Sequence, residues 1–112
     1  MAVGDRVEKR MSGPSALSTS SGSPTTATVP ASKQWTVKQV VFTNTAGVEA
    51  LVYFSVGAIG TAGNRVFSGL PIAAGDTIVW DTAFVLDAAE SVQAYADRSG
   101  LNMVVAGWEK SV

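Results

Sequence analysis

Catalysis needs side chains that move protons, attack electrophiles or hold ions, and this chain is short of all three. It contains no histidine, which removes the commonest general base and the commonest metal ligand. It contains no cysteine, so it has neither a thiolate nucleophile nor a disulfide framework. Serines are plentiful, but they lie in a low-complexity stretch or in turns, with no histidine to activate them and only a Ser–Lys pairing, with Lys33 or Lys38, left as a nucleophile. The carboxylates Asp76, Asp81, Asp87 and Glu90 lie in or beside two turns. A hard cation needs several such oxygens, and a glycosidase needs two of them. Asp76 and Asp87 read more simply as turn residues that accept bonds from nearby backbone N–H groups. The glycine-rich GAIGTAG is followed by no Lys-Ser/Thr and no helical pattern, so it is not a phosphate loop. The residues therefore predict no enzyme, no metal, no cofactor and no small-molecule substrate.

The three tryptophans carry more information. Trp35 opens a strand-like run, Trp80 closes the apolar TIVW, and Trp108 lies near the end of the chain. Trp80 reads as core. Trp35 and Trp108, near strand ends, are candidate interface aromatics, since exposed indoles form hot spots or stack on sugars.

The elements that must position these residues are strands. QWTVKQVVFTN (34–44), VEALVYFSVGAIG (48–60), NRVFSGL (64–70), DTIVWDT (76–82), FVL (84–86), SVQAYAD (91–97) and LNMVVAGWEK (101–110) are rich in β-branched and aromatic residues, and Gly, Asn or Asp turns separate them. VLDAAESVQAYA has helix-forming residues, but a turn followed by alternation fits its neighbours better. The pattern predicts an all-β protein: a single antiparallel β-sandwich, jelly-roll-like, over residues 31–112.

Residues 1–30 look different. In GPSALSTSSGSPTTATVP (13–30), fourteen of eighteen residues are Gly, Pro, Ser or Thr, and none is charged. Ordering a backbone costs roughly 1–2 kcal/mol per residue, and these side chains bury too little to offset it. The expectation is an extended N-terminal arm that borrows its order from a partner. Val3, Val7, Met11, Leu17, Val29 and Pro30 would be its contacts. Fully extended, such an arm could span up to about 100 Å. On this reading, deleting residues 1–28 leaves a folded body.

Net charge is −1, from eight basic and nine acidic residues, and the basic ones do not gather in the sequence. That argues against phosphate neutralisation and hence against a nucleic-acid partner. No window is apolar enough for a membrane span. Only 15% of the residues are charged, which suggests a surface partly covered by another molecule.

From Val29 onward the sequence resembles a family of small β-sandwich virion proteins of tailed bacteriophages. The resemblance rests on Pro30–Ala31, on Val37 to Asn44, on Val85–Leu86 with Ser91 to Ala94, and on Gly107 to Glu109. Ala89 stands where many relatives have glycine. Relatives serve as capsid decoration (cement) proteins, as head fibres and as tail modules. The resemblance implies a capsid-exterior protein made in the bacterial host cytoplasm. It implies binding to the major capsid protein, to copies of itself as a trimer or dimer, or to both. A tail, collar or head-fibre part is the alternative, and a carbohydrate-binding module for host attachment is a further one.

Overall fold

The computed structural model describes residues 6–112, and Val3 lies outside them. Eight strands follow one another: β1 (Arg6–Ala16), β2 (Thr25–Thr28), β3 (Lys33–Asn44), β4 (Ala50–Val56), β5 (Arg65–Ile72), β6 (Thr77–Leu86), β7 (Ser91–Ala96) and β8 (Leu101–Ser111). They form two antiparallel four-stranded sheets, ordered β1-β8-β3-β6 and β2-β7-β4-β5. This is the strand order of a jelly roll: consecutive strands cross between the sheets except β4 and β5, which form a hairpin within the second sheet.

Alternation along each strand sends one face inward. Trp35, Val37, Val40, Phe42, Leu86, Met103 and Val105 of the first sheet meet Ala50, Val52, Phe54, Ile72, Val92 and Ala94 of the second. Phe42 and Phe54 pack edge-to-face across the interior at 6.0 Å. Phe67, Trp80 and Phe84 extend this aromatic cluster towards the β5/β6 edge. Trp80 is partly buried against the core, close to its expected role. At the other end of β3, Asn44 is fully buried and fully satisfied. Its amide donates to the carbonyls of Val48 (2.8 Å) and Ile72 (3.0 Å), and its Oδ1 accepts from Ala46 N–H at 2.9 Å. Asn44 thereby ties two loops to the end of the sheet.

The separate N-terminal arm is corrected. Its described part belongs to the sandwich: β1 pairs with β8, and β2 pairs with β7. Leu17 N–H donates to the Leu101 carbonyl (2.8 Å), Val29 N–H to Glu90 (2.9 Å), and Ala96 N–H to Ser18 (2.9 Å). Leu17, Ala27 and Val29 are buried in the chain's own core. Each large side chain so buried contributes about 1.5–3 kcal/mol. Backbone pairing and a few apolar plugs within the chain itself thus offset part of the ordering cost. A body beginning at residue 31 would lack one strand of each sheet, so the boundary at residue 30 does not separate two units.

The strand expectations from Gln34 onward need one merger. Segments 76–82 and 84–86 form the single strand β6, which bulges between Asp81 and Phe84 opposite Val37–Gln39. The helix-like stretch around Ala89 is a turn followed by β7, and Ala89 takes a left-handed φ of 71°.

Candidate functional site

The first sheet is kinked along a line. β8 passes regularly through Val105, Ala106 and Gly107, but each strand beside it, or one further, carries extra residues at that level. β1 shifts register between Arg10 and Ser12, opposite Ala106 and Val105. β3 inserts Lys38 between Val37, which faces Gly107, and Gln39, which faces Ala106. β6 shifts again against β3. Bulges bend a strand and re-aim its side chains. Gly107 permits the bend: a Cβ there would overlap the Thr36 carbonyl oxygen and stand 2.9 Å from Lys38 N. The outer surface along this line is an open groove of about 690 Å³, lined by Arg10, Lys38, Gln39, Asp81, Ala106 and Trp108 among others.

Trp108 is the groove's centrepiece. It is half-buried on the outer face, level with Glu8 on β1 and Thr36 on β3. The Arg6 guanidinium lies 5.2 Å from its ring centre and the Lys38 ammonium 5.3 Å, one from each flanking strand. Each such cation–π contact is worth about 0.5–1 kcal/mol where water reaches it.

Behind Trp108, the next residue faces inward. Glu109 is buried, and its Oε2 accepts from Trp35 Nε1 (2.8 Å) and from Lys9 Nζ (2.9 Å). These two donors hold the carboxyl below its usual range, the Lys9 bond first and the Trp35 bond second, against a desolvation penalty that pushes the other way. The triad fastens β1 to β8 and β3.

The expected contact residues are dispersed. Val7 is 51% exposed near the start of β1, and Pro30 is exposed in the loop before β3. Met11 packs against the core. Leu17, Val29 and Trp35 are core residues, with Trp35 only 3% exposed, so none of these three is a contact for another molecule. They cover the gap between the sheets, which is why their side chains are consumed within the chain. Of the two candidate interface tryptophans, Trp108 alone faces outward. The carboxylates serve the backbone and neighbouring amides. Asp76 accepts from Thr77 N–H, Glu90 from Asp87 N–H, Asp87 from Gln34 Nε2 and Asp81 from Gln39 Nε2. Among the described residues, no three acidic side chains converge as a metal site, and no helix is long and apolar enough to cross a membrane.

What sequence reading missed is the gathering of charge. Six of the eight basic residues fall on β1, β3 and β8, which lie side by side. Arg6 and Lys110 are directly paired, and Lys38 and Arg10 line the groove. The signal was the register between strands about a hundred residues apart, which no local window contains. The second sheet offers a different surface, where Tyr53 and Tyr95 stack at 4.5 Å beneath Arg65.

No known protein family matches the sequence, and no curated protein matches it. Solved structures do resemble the fold. The tobacco streak virus coat protein superposes over 100% of this chain and 90% of its own, with a TM-score of 0.50 and 10% identity. Its dimer structure gives 0.49 at 9% identity over 96% of this chain and 86% of the other. The infectious bursal disease virus Gx strain structure gives 0.41 at 12% identity, and this chain spans only 31% of that one. The class defined is therefore a fold, the eight-stranded jelly roll. The particular likeness that runs the whole length of the chain is to a viral coat protein.

Proposed function

We propose that this chain is a virion structural protein, and within that class a capsid decoration protein of a tailed bacteriophage. It binds the outside of an assembled shell of major capsid protein, alone or as a dimer or trimer, and stabilises that shell. The carrying observation is the end-to-end likeness of the whole jelly roll to a coat protein. The motif resemblance from Val29 onward and the low charge content support it independently. A ligand that engages only the assembled form stabilises it by mass action. Val7, Pro30 and Trp108 remain as contacts for the shell or for neighbouring copies, with Val3 assigned from sequence alone.

The experiment compares particles made with and without the protein. Particles lacking it release their genome at lower temperature, and complete ones carry hundreds of copies. Equal heat resistance refutes the stabilising role. A count of a few dozen or fewer moves the protein to the tail, collar or head fibre, the reading that shares the same motif resemblance. A glycan-binding role is weaker, because a sugar platform needs an open indole face and Trp108 already carries a cation from each side.

A further inference from the structure

We propose that the kinked groove of the first sheet is a docking surface for an acidic, extended segment of a partner protein, with Trp108 as its anchor.

Charge complementarity identifies the occupant. Arg6, Arg10, Lys38 and Lys110 project on or beside the groove, against Glu8 and Asp81. Asp81 is already engaged by Gln39. The only salt bridges among the described residues are Lys9–Glu109 and Arg98–Asp97, so none of these four cations is held in a direct ion pair with a described carboxylate. The chain as a whole is slightly acidic, so this cationic strip is a local departure and not a general property of the surface.

Shape adds to charge. Neighbouring outward residues continue the groove as an apolar track: Val41 pairs with both Val104 and Val79, and Thr36 with both Trp108 and Val85. Val79 and Val85 are 52% and 55% exposed. A segment alternating carboxylates with small apolar side chains would place the first on the cations and the second on this track. Interface anchors are typically such aromatic and arginine groups, ringed by less critical contacts. A single-stranded nucleic acid fits less well. Base stacking needs a free indole face, and both flanking strands already place a cation there.

The surface is independent of the virion reading: the partner could belong to a shell or to any other assembly, and failure to enter particles would leave it standing. The test uses the full chain and a fluorescein-labelled peptide of alternating Glu and Val, followed by anisotropy. Binding is expected to weaken about tenfold or more in Lys38→Glu and in Arg10→Glu, as for charges bordering an interface. It should also weaken as salt rises from about 50 to 500 mM. Trp108→Leu should reduce it while keeping the salt dependence. Unchanged circular dichroism and urea midpoints show that the variants fold, and Arg98→Glu, outside the groove, serves as the control. The proposal is overturned if a Gln–Val peptide binds equally well, or if Arg98→Glu loses as much as Lys38→Glu. It is also overturned if oligodeoxythymidylate binds more tightly than the Glu–Val peptide, which would make the groove a nucleic-acid site. If the chain self-associates in sedimentation and Lys38→Glu dissolves the oligomer, the occupant is a second copy and the proposal falls.

Discussion

Replacing Gly107 by alanine tests whether the kink is built into the fold. The added methyl would overlap the Thr36 carbonyl oxygen and stand 2.9 Å from Lys38 N. Both are backbone atoms, so no side chain can swing aside, and β3 must draw away from β8 at the bulge. Overpacking of this kind costs about 1–3 kcal/mol. Ladder bonds stretched on either side forfeit about 1 kcal/mol each. Alanine returns about 0.4–1 kcal/mol by restricting the unfolded chain. The net expectation is a loss of about 2–4 kcal/mol, a large share of the roughly 5–15 kcal/mol available to a domain. Urea unfolding followed by tryptophan fluorescence reads it. With a slope of about 1–3 kcal/mol per molar, the midpoint falls by about 1 M or more. Gly47→Ala and Gly60→Ala, where an added Cβ meets nothing within 4 Å, should move it little. A Gly107→Ala midpoint matching these controls would refute the close-approach reasoning.

Three further outcomes follow from the same contacts. Deleting residues 1–28 removes β1 and β2 and uncovers the core beside Leu17, so the remainder should show no cooperative thermal transition by circular dichroism. Glu109 has its folded-state pKa depressed below the ordinary 4.5. Its stabilising contribution is therefore present above that value and lost as pH falls through the folded one. Wild type should lose more stability than Glu109→Gln between about pH 6 and pH 3, as measured by urea midpoints; parallel losses would contradict this. Ala89→Gly relieves a left-handed residue at about 1–2 kcal/mol and gives back about 0.5–1 kcal/mol of chain entropy. The melting temperature should rise slightly, and a fall would show that Ala89 is not strained.

Most of the sandwich was legible because six strands bury one face each, and alternation such as Val92, Ala94, Ala96 against Gln93, Tyr95 records this directly. The first two strands were not legible. β1 is an edge strand with a largely exposed pattern and contains Gly13 and Pro14. β2 is a four-residue run with a single buried alanine. Their order comes mainly from backbone bonds to β8 and β7, and backbone bonds leave no signature in side-chain type. The groove escaped notice for a related reason. Trp108 stood out by its place near a strand end, but Lys38 and Arg6 are unremarkable in their own windows, and the three become a site only through the register of three strands. Trp35 was placed by its position near a strand end, but its indole N–H finds a buried carboxylate, so its polar edge is satisfied inside.

The place of β8 also bears on how the chain reaches this state during synthesis. It follows every other strand in chain order, yet it lies between β1 and β3, bonded to both. A ribosome that has released only the first ninety or so residues holds a β1 with no neighbour and a β3 open along one side. The four-stranded sheet cannot close until β8 is available to pair with both β1 and β3. Until then the nascent chain exposes the strand edges and apolar side chains that chaperones bind. Long-range pairing of this kind folds slowly, so closure of the first sheet is expected to lag behind release of β8 from the ribosome.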